Sequence, residues 1–293
     1  MIKFLMSNKQ LLDNIKKLRE LTGVGFKDCK AALDESGGDI EKSIEFLRKK
    51  GIAKASKKME RTASEGLVLV KELNGEVSVI EINSETDFVA KNKDFIIFCK
   101  ELSEINFDTK GDLKKLEVSK MKNGNLVKDN LVNLIAKIGE KITIRRGNFY
   151  DNKKGKNFYY VHSALEKNIG KIVSVVRLEG IVEGKNDEIG AKISMHIAAS
   201  SPLALDKDGI SKDIIDKELE IIKAEIVNSG KPKEFAEKIS KGKIAKFIND
   251  NTLLNQLWIM DPKKRVSDIL KENKADNDLT ILDFIRYKVG EGV

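Results

Sequence analysis

Residues 66–90 read GLVLVKELNGEVSVIEINSETDFVA. Two apolar-rich runs, 66–73 and 76–83, flank Asn74-Gly75, a dipeptide that accepts the positive φ angles of a tight hairpin turn. The pattern predicts a strand pair. The chain then passes through Asn83-Ser84-Glu85-Thr86-Asp87-Phe88-Val89-Ala90 into a helix predicted over 92–105. An apolar aromatic behind an acid at such a strand-to-helix junction is expected at a surface edge. Further along, the periodicity predicts a helix over 125–138 and a strand over 141–149. A second strand pair follows at 158–161 and 171–178, then a helix over 188–200. The order strand, strand, helix, further helix, strand thus repeats loosely, without a residue-level repeat. The reading is an α+β core with an N-subdomain over 66–150 and a C-subdomain over 151–293.

The flanks are helical. Ser7 and Gln10 have the spacing of a capping box, and Leu11, Ile15, Leu18 and Leu21 then share one helix face. Gly23 and Gly25 stop that helix, and a second runs over about 26–36. Asp39 is a natural N-cap for a third, lined by Ile40, Ile44 and Leu47 and expected to end at Gly51. Residues 1–52 therefore form a three-helix module, and 53–65, lysine-rich and poor in large apolar residues, read as a solvated linker. Residues 211–249 interrupt the second half. Ile215, Leu219, Ile222 and Ile226 have the heptad spacing of a coiled-coil seam. Ser229-Gly230-Lys231-Pro232 turns the chain, and Phe235, Ile239 and Phe247 return, giving an antiparallel helical hairpin. A short helix (Val266, Ile269, Leu270) and a strand over 281–289 close the chain.

Composition narrows the chemistry. The chain has 293 residues, 41% of them hydrophobic, enough for a core, and its net charge of +8 is a mild bias over that length. Cys29 and Cys99 are isolated thiols on apolar helical faces, which suits buried spectators in a reducing cytoplasm. With His162 and His196 as the only histidines, a multi-histidine metal centre is excluded. No apolar run approaches the roughly 18 residues of a membrane span. Phosphate-loop, dinucleotide, zinc-protease and nucleophile-elbow motifs are absent. His162 and Ser163, adjacent on a strand, would face opposite ways and make no nucleophile pair.

Thr86-Asp87-Phe88-Val89-Ala90 resembles the signature of the bacterial translation elongation factor Ts family, the guanine-nucleotide exchange factors of elongation factor Tu. Leu18-Arg19-Glu20-Leu21-Thr22-Gly23, Asp28-Cys29-Lys30 and Leu47-Arg48-Lys49-Lys50-Gly51 resemble that family's ubiquitin-associated-like N-terminal module. Met195-His196-Ile197-Ala198-Ala199-Ser200, Ser229-Gly230-Lys231-Pro232-Lys233 and Val289-Gly290-Glu291-Gly292 match in order, so the likeness spans nearly the whole chain. The resemblance implies that Phe88 wedges between two helices of the partner's GTPase domain while Asp87, with Thr86 and Val89 beside it, holds the displaced arrangement. Magnesium and phosphate contacts then weaken and GDP leaves. It implies contacts to the partner's third domain from Ile169, Gly170 and His196, and to the GTPase domain from the Val24-Gly25-Phe26 turn. The nucleotides and Mg2+ belong to the partner, so the chain itself needs no cofactor and does no covalent chemistry. No direct nucleic-acid contact is expected, and the hairpin is a route to a homodimer or a 2:2 complex. Ser163 to Asn168 lack the family's glycine-rich lead-in, a further C-terminal helical module has no counterpart here, and Met6-Ser7 resembles the commoner start.

Each residue also has a plainer reading. Asp87 suits a helix N-cap and Phe88 a core position. His196 lies in an apolar helical stretch, Ile169 and Gly170 suit a turn, Phe26 can staple the bundle, and the hairpin can be a bare insertion. The main alternative function is an RNA- or ribosome-associated adaptor without exchange activity. Aromatics at 6% argue against an RNA-stacking face.

Overall fold

The structure, a computed structural model, describes residues 8–22, 24–58, 60–186, 188–228 and 233–293. Helices α1 (Asn8–Thr22), α2 (Phe26–Glu35) and α3 (Ile40–Ser56) pack around Ile15, Leu18, Cys29, Ala32, Leu33 and Leu47. The Asp39 carboxylate caps α3, accepting from the Lys42 amide at 3.0 Å. Ser7, the expected stop at Gly23 and the start at Met1 or Met6 lie outside the described residues.

Gly51 does not end α3, which continues through Ser56. An added Cβ at Gly51 would sit 3.6 Å from the Ala136 Cβ and 3.8 Å from a Val132 methyl, so this glycine marks a close helix–helix approach. The helix thus runs into the expected linker, whose residues 53, 57, 60–62 and 64 are exposed. Ala55 and Ala63 are buried, Ala55 in the core of the next unit.

That unit comprises β1 (Glu65–Leu73), β2 (Glu76–Ser84), the one-turn α4 (Asp87–Ala90), α5 (Lys93–Asp108), α6 (Leu113–Val118), α7 (Val127–Ile138) and β3 (Ile142–Tyr150). Asn74 and Gly75 take φ of 53° and 80°, as the hairpin turn requires. Next come β4 (Lys156–His162), β5 (Ile169–Gly170), β6 (Ile172–Glu179) and α8 (Glu188–Ser200). Then follow α9 (Lys212–Asn228), α10 (Lys233–Asn251), β7 (Leu257–Trp258), β8 (Asp261–Arg265), α11 (Val266–Glu272) and β9 (Thr280–Lys288).

An antiparallel sheet ordered β3-β2-β1-β5 and a second ordered β4-β6-β9 make the body. Successive strand residues face opposite ways, so β1 and β2 divide their apolar side chains between two cores. Leu67, Leu69, Ile80 and Ile82 meet Phe95, Leu102 and Ile135 from the helices. Val68, Val70, Val77 and Val79 meet Val173, Val175 and Tyr287 of the second sheet. Burial on both faces explains the nearly unbroken apolar run of 67–70. The second sheet's other face packs on α8 and α11 through Val176, Leu178, Ile193 and Ile269.

Glu81 joins the halves. Wholly buried on β2, its carboxylate accepts from Arg145 at 3.0 Å, Arg146 at 2.6 Å, Asn83 at 3.0 Å and the Gly290 amide at 2.9 Å. The Arg146 guanidinium lies 4.1 Å from the Tyr287 ring centre on β9. Away from the body, α9 leaves and α10 returns, closed at the base by Leu203 N donating to Asn251 O at 2.8 Å. Ile222 and Ile226 are buried in the hairpin seam and Ile215 and Leu219 half-buried. The turn at 229–232 lies outside the described residues.

Candidate docking site

The loop after β2 is held from both sides. Ser84 Oγ donates to the Thr86 carbonyl at 2.9 Å. Glu85 accepts from the Lys141 amide at 2.5 Å and from Arg61 Nη1 at 3.1 Å. In the opposite direction, Glu140 accepts from the Thr86 amide at 3.0 Å and the Thr86 hydroxyl at 2.9 Å. Glutamates 85 and 140 thus clasp the loop to the junction of α7 and β3. Thr86 occupies the N-cap of α4 in extended backbone, but its hydroxyl is given to Glu140 and makes no cap bond.

This brace decides what α4 presents. Val89 and Ala90 are buried in the first core, whereas Phe88 is 80% exposed. Leaving a phenylalanine in water forgoes about 1.5–3 kcal/mol of burial. Among the described residues only Val227, at 79%, is a comparably exposed large hydrophobic. The core reading of Phe88 is therefore wrong and the surface-edge expectation holds. Asp87 stands at the first helical position rather than the N-cap, and pairs with Lys91 at 2.9 Å. The hydrogen bond from Lys91, and then its charge, hold the Asp87 carboxyl below its ordinary value.

The remaining expected contacts divide. Phe26 is 45% exposed at the start of α2, behind the exposed Gly25, and Val24 is half-buried against the bundle core. Ile169 and Gly170 lie in the sheet. They form β5 against Leu69 and Val68, with Ile169 3% exposed inside the first core. A Cβ on Gly170 would lie 2.7 Å from the His162 carbonyl, so neither residue offers side-chain surface. The turn before them manages without glycine because Ser163 and Asn168 take φ of 51° and 67°.

His196 lies on α8. It is wholly buried, stacked on Trp258 with ring centres 5.2 Å apart. Its Nδ1 accepts from the Ile259 amide at 3.4 Å, and its Nε2 lies 3.1 Å from Gln256 Oε1, which assigns the neutral Nε2–H tautomer. Burial holds its pKa below the ordinary 6.5. The unfolded chain then binds the extra proton first, so His196 contributes stability above pH 6.5 that is lost as pH falls below it. Urea midpoints at pH 5.5 and 7.5 should differ more in the parent chain than in His196→Gln. Around this buried pair, Met195 and the β7–β8 hairpin residues Leu257, Ile259 and Met260 are exposed. Sequence reading missed the hairpin, because its short strands leave no period to detect. It missed Glu140 as well, whose partner lies 54 residues away.

The braced one-turn helix thus exposes an aromatic at the edge of the α+β body. Among the described residues, no group of His, Cys, Asp or Glu is placed to hold a metal, and no helix is long and apolar enough to cross a membrane. The family model described as Elongation factor TS matches residues 85–291. The chain is 42% identical over 283 residues to Elongation factor Ts of Methylobacterium nodulans, covering 95% of this chain and 92% of the relative. It is 41% identical over 284 residues to that of Methylorubrum extorquens strain PA1, covering 95% and 92%. Against that of Maricaulis maris it is 40% identical over 287 residues, covering 95% and 91%. The chain belongs to the elongation factor Ts family.

Proposed function

We propose that this chain is a cytoplasmic guanine-nucleotide exchange factor that binds elongation factor Tu·GDP and promotes GDP release, allowing GTP loading in translation elongation. The observation that carries the reading is Phe88, exposed on a helix whose neighbours Val89 and Ala90 anchor it in the core. Inserted between two helices of the partner's GTPase domain, the ring gains about 1.5–3 kcal/mol of burial. That gain is available only if the partner helices part, so it favours the displaced arrangement over the closed one. The Asp87–Lys91 pair presents opposite charges beside the wedge. Parting the helices disturbs the Mg2+ and phosphate contacts, which belong to the partner, and the chain acts without covalent chemistry. The Phe26 turn supplies a second contact, and the third-domain contact falls to the region of Ile169, Gly170 and His196, where Met195 and the β7–β8 hairpin are exposed. The α9–α10 hairpin supplies the surface for a homodimer or 2:2 complex.

Linkage supplies the test. If the factor weakens GDP binding by some ratio, GDP weakens factor binding by the same ratio. Calorimetric titration of elongation factor Tu with GDP, with and without this protein, and with this protein, with and without GDP, should give equal ratios well above one. A ratio of one rejects the exchange reading. The brace has its own expectation. Glu140→Ala removes the hydrogen bonds to Thr86, worth about 0.5–1.5 kcal/mol each. Amide exchange over 87–90 should quicken and GDP release slow several-fold, while the global urea midpoint stays close to that of the parent.

A further inference from the structure

Helix α3 runs beside α7 in a continuous register. Arg48 Nη2 pairs with Asp129 Oδ1 at 2.9 Å. One turn on, Gly51 lies against Val132 and Ala136. Ala55 enters the first core, which also holds Leu134 and Ile135. Past the helix end, Lys58 Nζ donates to the carbonyl of Gly139, the left-handed cap of α7. The contacts advance together along both helices, so the two run parallel and converge on one place. Three residues after Lys58, Arg61 pairs with Glu85; one residue after Gly139, Glu140 holds Thr86. The seam that docks the three-helix bundle therefore ends at the base of the Phe88 loop.

We propose that Gly51 and this seam are positioning elements for exchange, fixing the bundle and the Phe88 loop as one rigid docking unit so that Phe26 and Phe88 meet one partner together. This rests on the exchange reading above. A bundle on a free tether would have to be ordered at each encounter, whereas a fixed one presents both contacts already spaced. Small side chains line the seam: a Cβ added at Gly51 already reaches van der Waals contact with Ala136 and Val132, so a longer side chain there has to displace them or press into the space between the bundle and α7. Beside it a crevice of about 170 Å3, lined by Leu21, Ile44, Leu47 and Val132, separates the bundle from α7. Pressure at Gly51 would thus lift the bundle as a body rather than break its own core, which is built from other residues.

Two spin labels report the geometry directly. Glu35→Cys in the bundle and Glu117→Cys in the core are exposed, and the native Cys29 and Cys99 are buried and do not compete. The parent chain and Gly51→Ala, whose added methyl makes only ordinary contact, should give a narrow distance distribution. Gly51→Leu, and independently Arg48→Glu facing Asp129, should broaden it. In GDP-release titrations on elongation factor Tu, both should raise the half-saturating concentration about tenfold or more while leaving the maximal rate within about twofold. A broad distribution in the parent, narrow distributions in both variants, or broadening with an unchanged half-saturating concentration would each overturn the proposal. If the parent accelerates nothing yet its distribution is narrow and the variants' broad, the exchange reading fails and the rigid seam stands.

Discussion

Phe88→Ala should lower the acceleration of GDP release from elongation factor Tu by about 10- to 100-fold, the equivalent of the 1.5–3 kcal/mol that burying the ring contributes. The same substitution should leave stability almost untouched. The side chain is 80% exposed and its anchors Val89 and Ala90 remain, so the unfolding free energy from urea melts should change by no more than about 0.5 kcal/mol. The pairing of the two outcomes is what matters. A residue needed for folding would lose both activity and midpoint, and a spectator would lose neither. Phe88→Leu, which keeps apolar bulk but not the flat ring, should fall between parent and alanine. Rates come from stopped-flow fluorescence and midpoints from circular dichroism.

The largest expected effect on stability belongs to Glu81. Its carboxylate is wholly enclosed and faces Arg145 and Arg146. Glu81→Leu would strand both guanidinium groups beside an apolar side chain and should cost about 3–5 kcal/mol, read as a lower urea midpoint at pH 7. Burial alone would raise the pKa of this carboxyl. The Gly290 amide, Asn83 and Arg146 outweigh that and hold it below its ordinary 4.5. A depressed carboxylate stabilises the fold above pH 4.5, and the contribution is lost as pH falls through the folded value. The parent should therefore lose stability steeply in acid, and Glu81→Gln should show a shallower loss from a lower starting point. A change under about 1 kcal/mol in Glu81→Leu would mean that the Glu81 cluster contributes little to holding the two halves together.

Much of this architecture could be read locally, and the failures share a cause. Asn74-Gly75 announces a hairpin because few dipeptides accept two positive φ angles, and Asp39 and the 3–4 spacing of Ile40, Ile44 and Leu47 announce a helix. Gly51 misled because a glycine near lysines resembles a helix stop; it lies mid-helix facing Ala136, eighty-five residues away. Ile169 and His196 are buried by strand pairing with β1 and by stacking on Trp258, and neither of those neighbours is near in sequence. Phe88 sits in an apolar triplet whose other two members are core residues. Its exposure, expected from the strand-to-helix junction, is fixed by the clasp of Glu85 and Glu140, whose partners the local sequence does not show.

The most direct test of the central claim is the rate at which a fluorescent GDP analogue leaves elongation factor Tu at fixed Mg2+ as the concentration of this protein is raised. The account predicts a rate that climbs and saturates far above the spontaneous one. A rate that stays at the spontaneous value, with the protein folded, would contradict it.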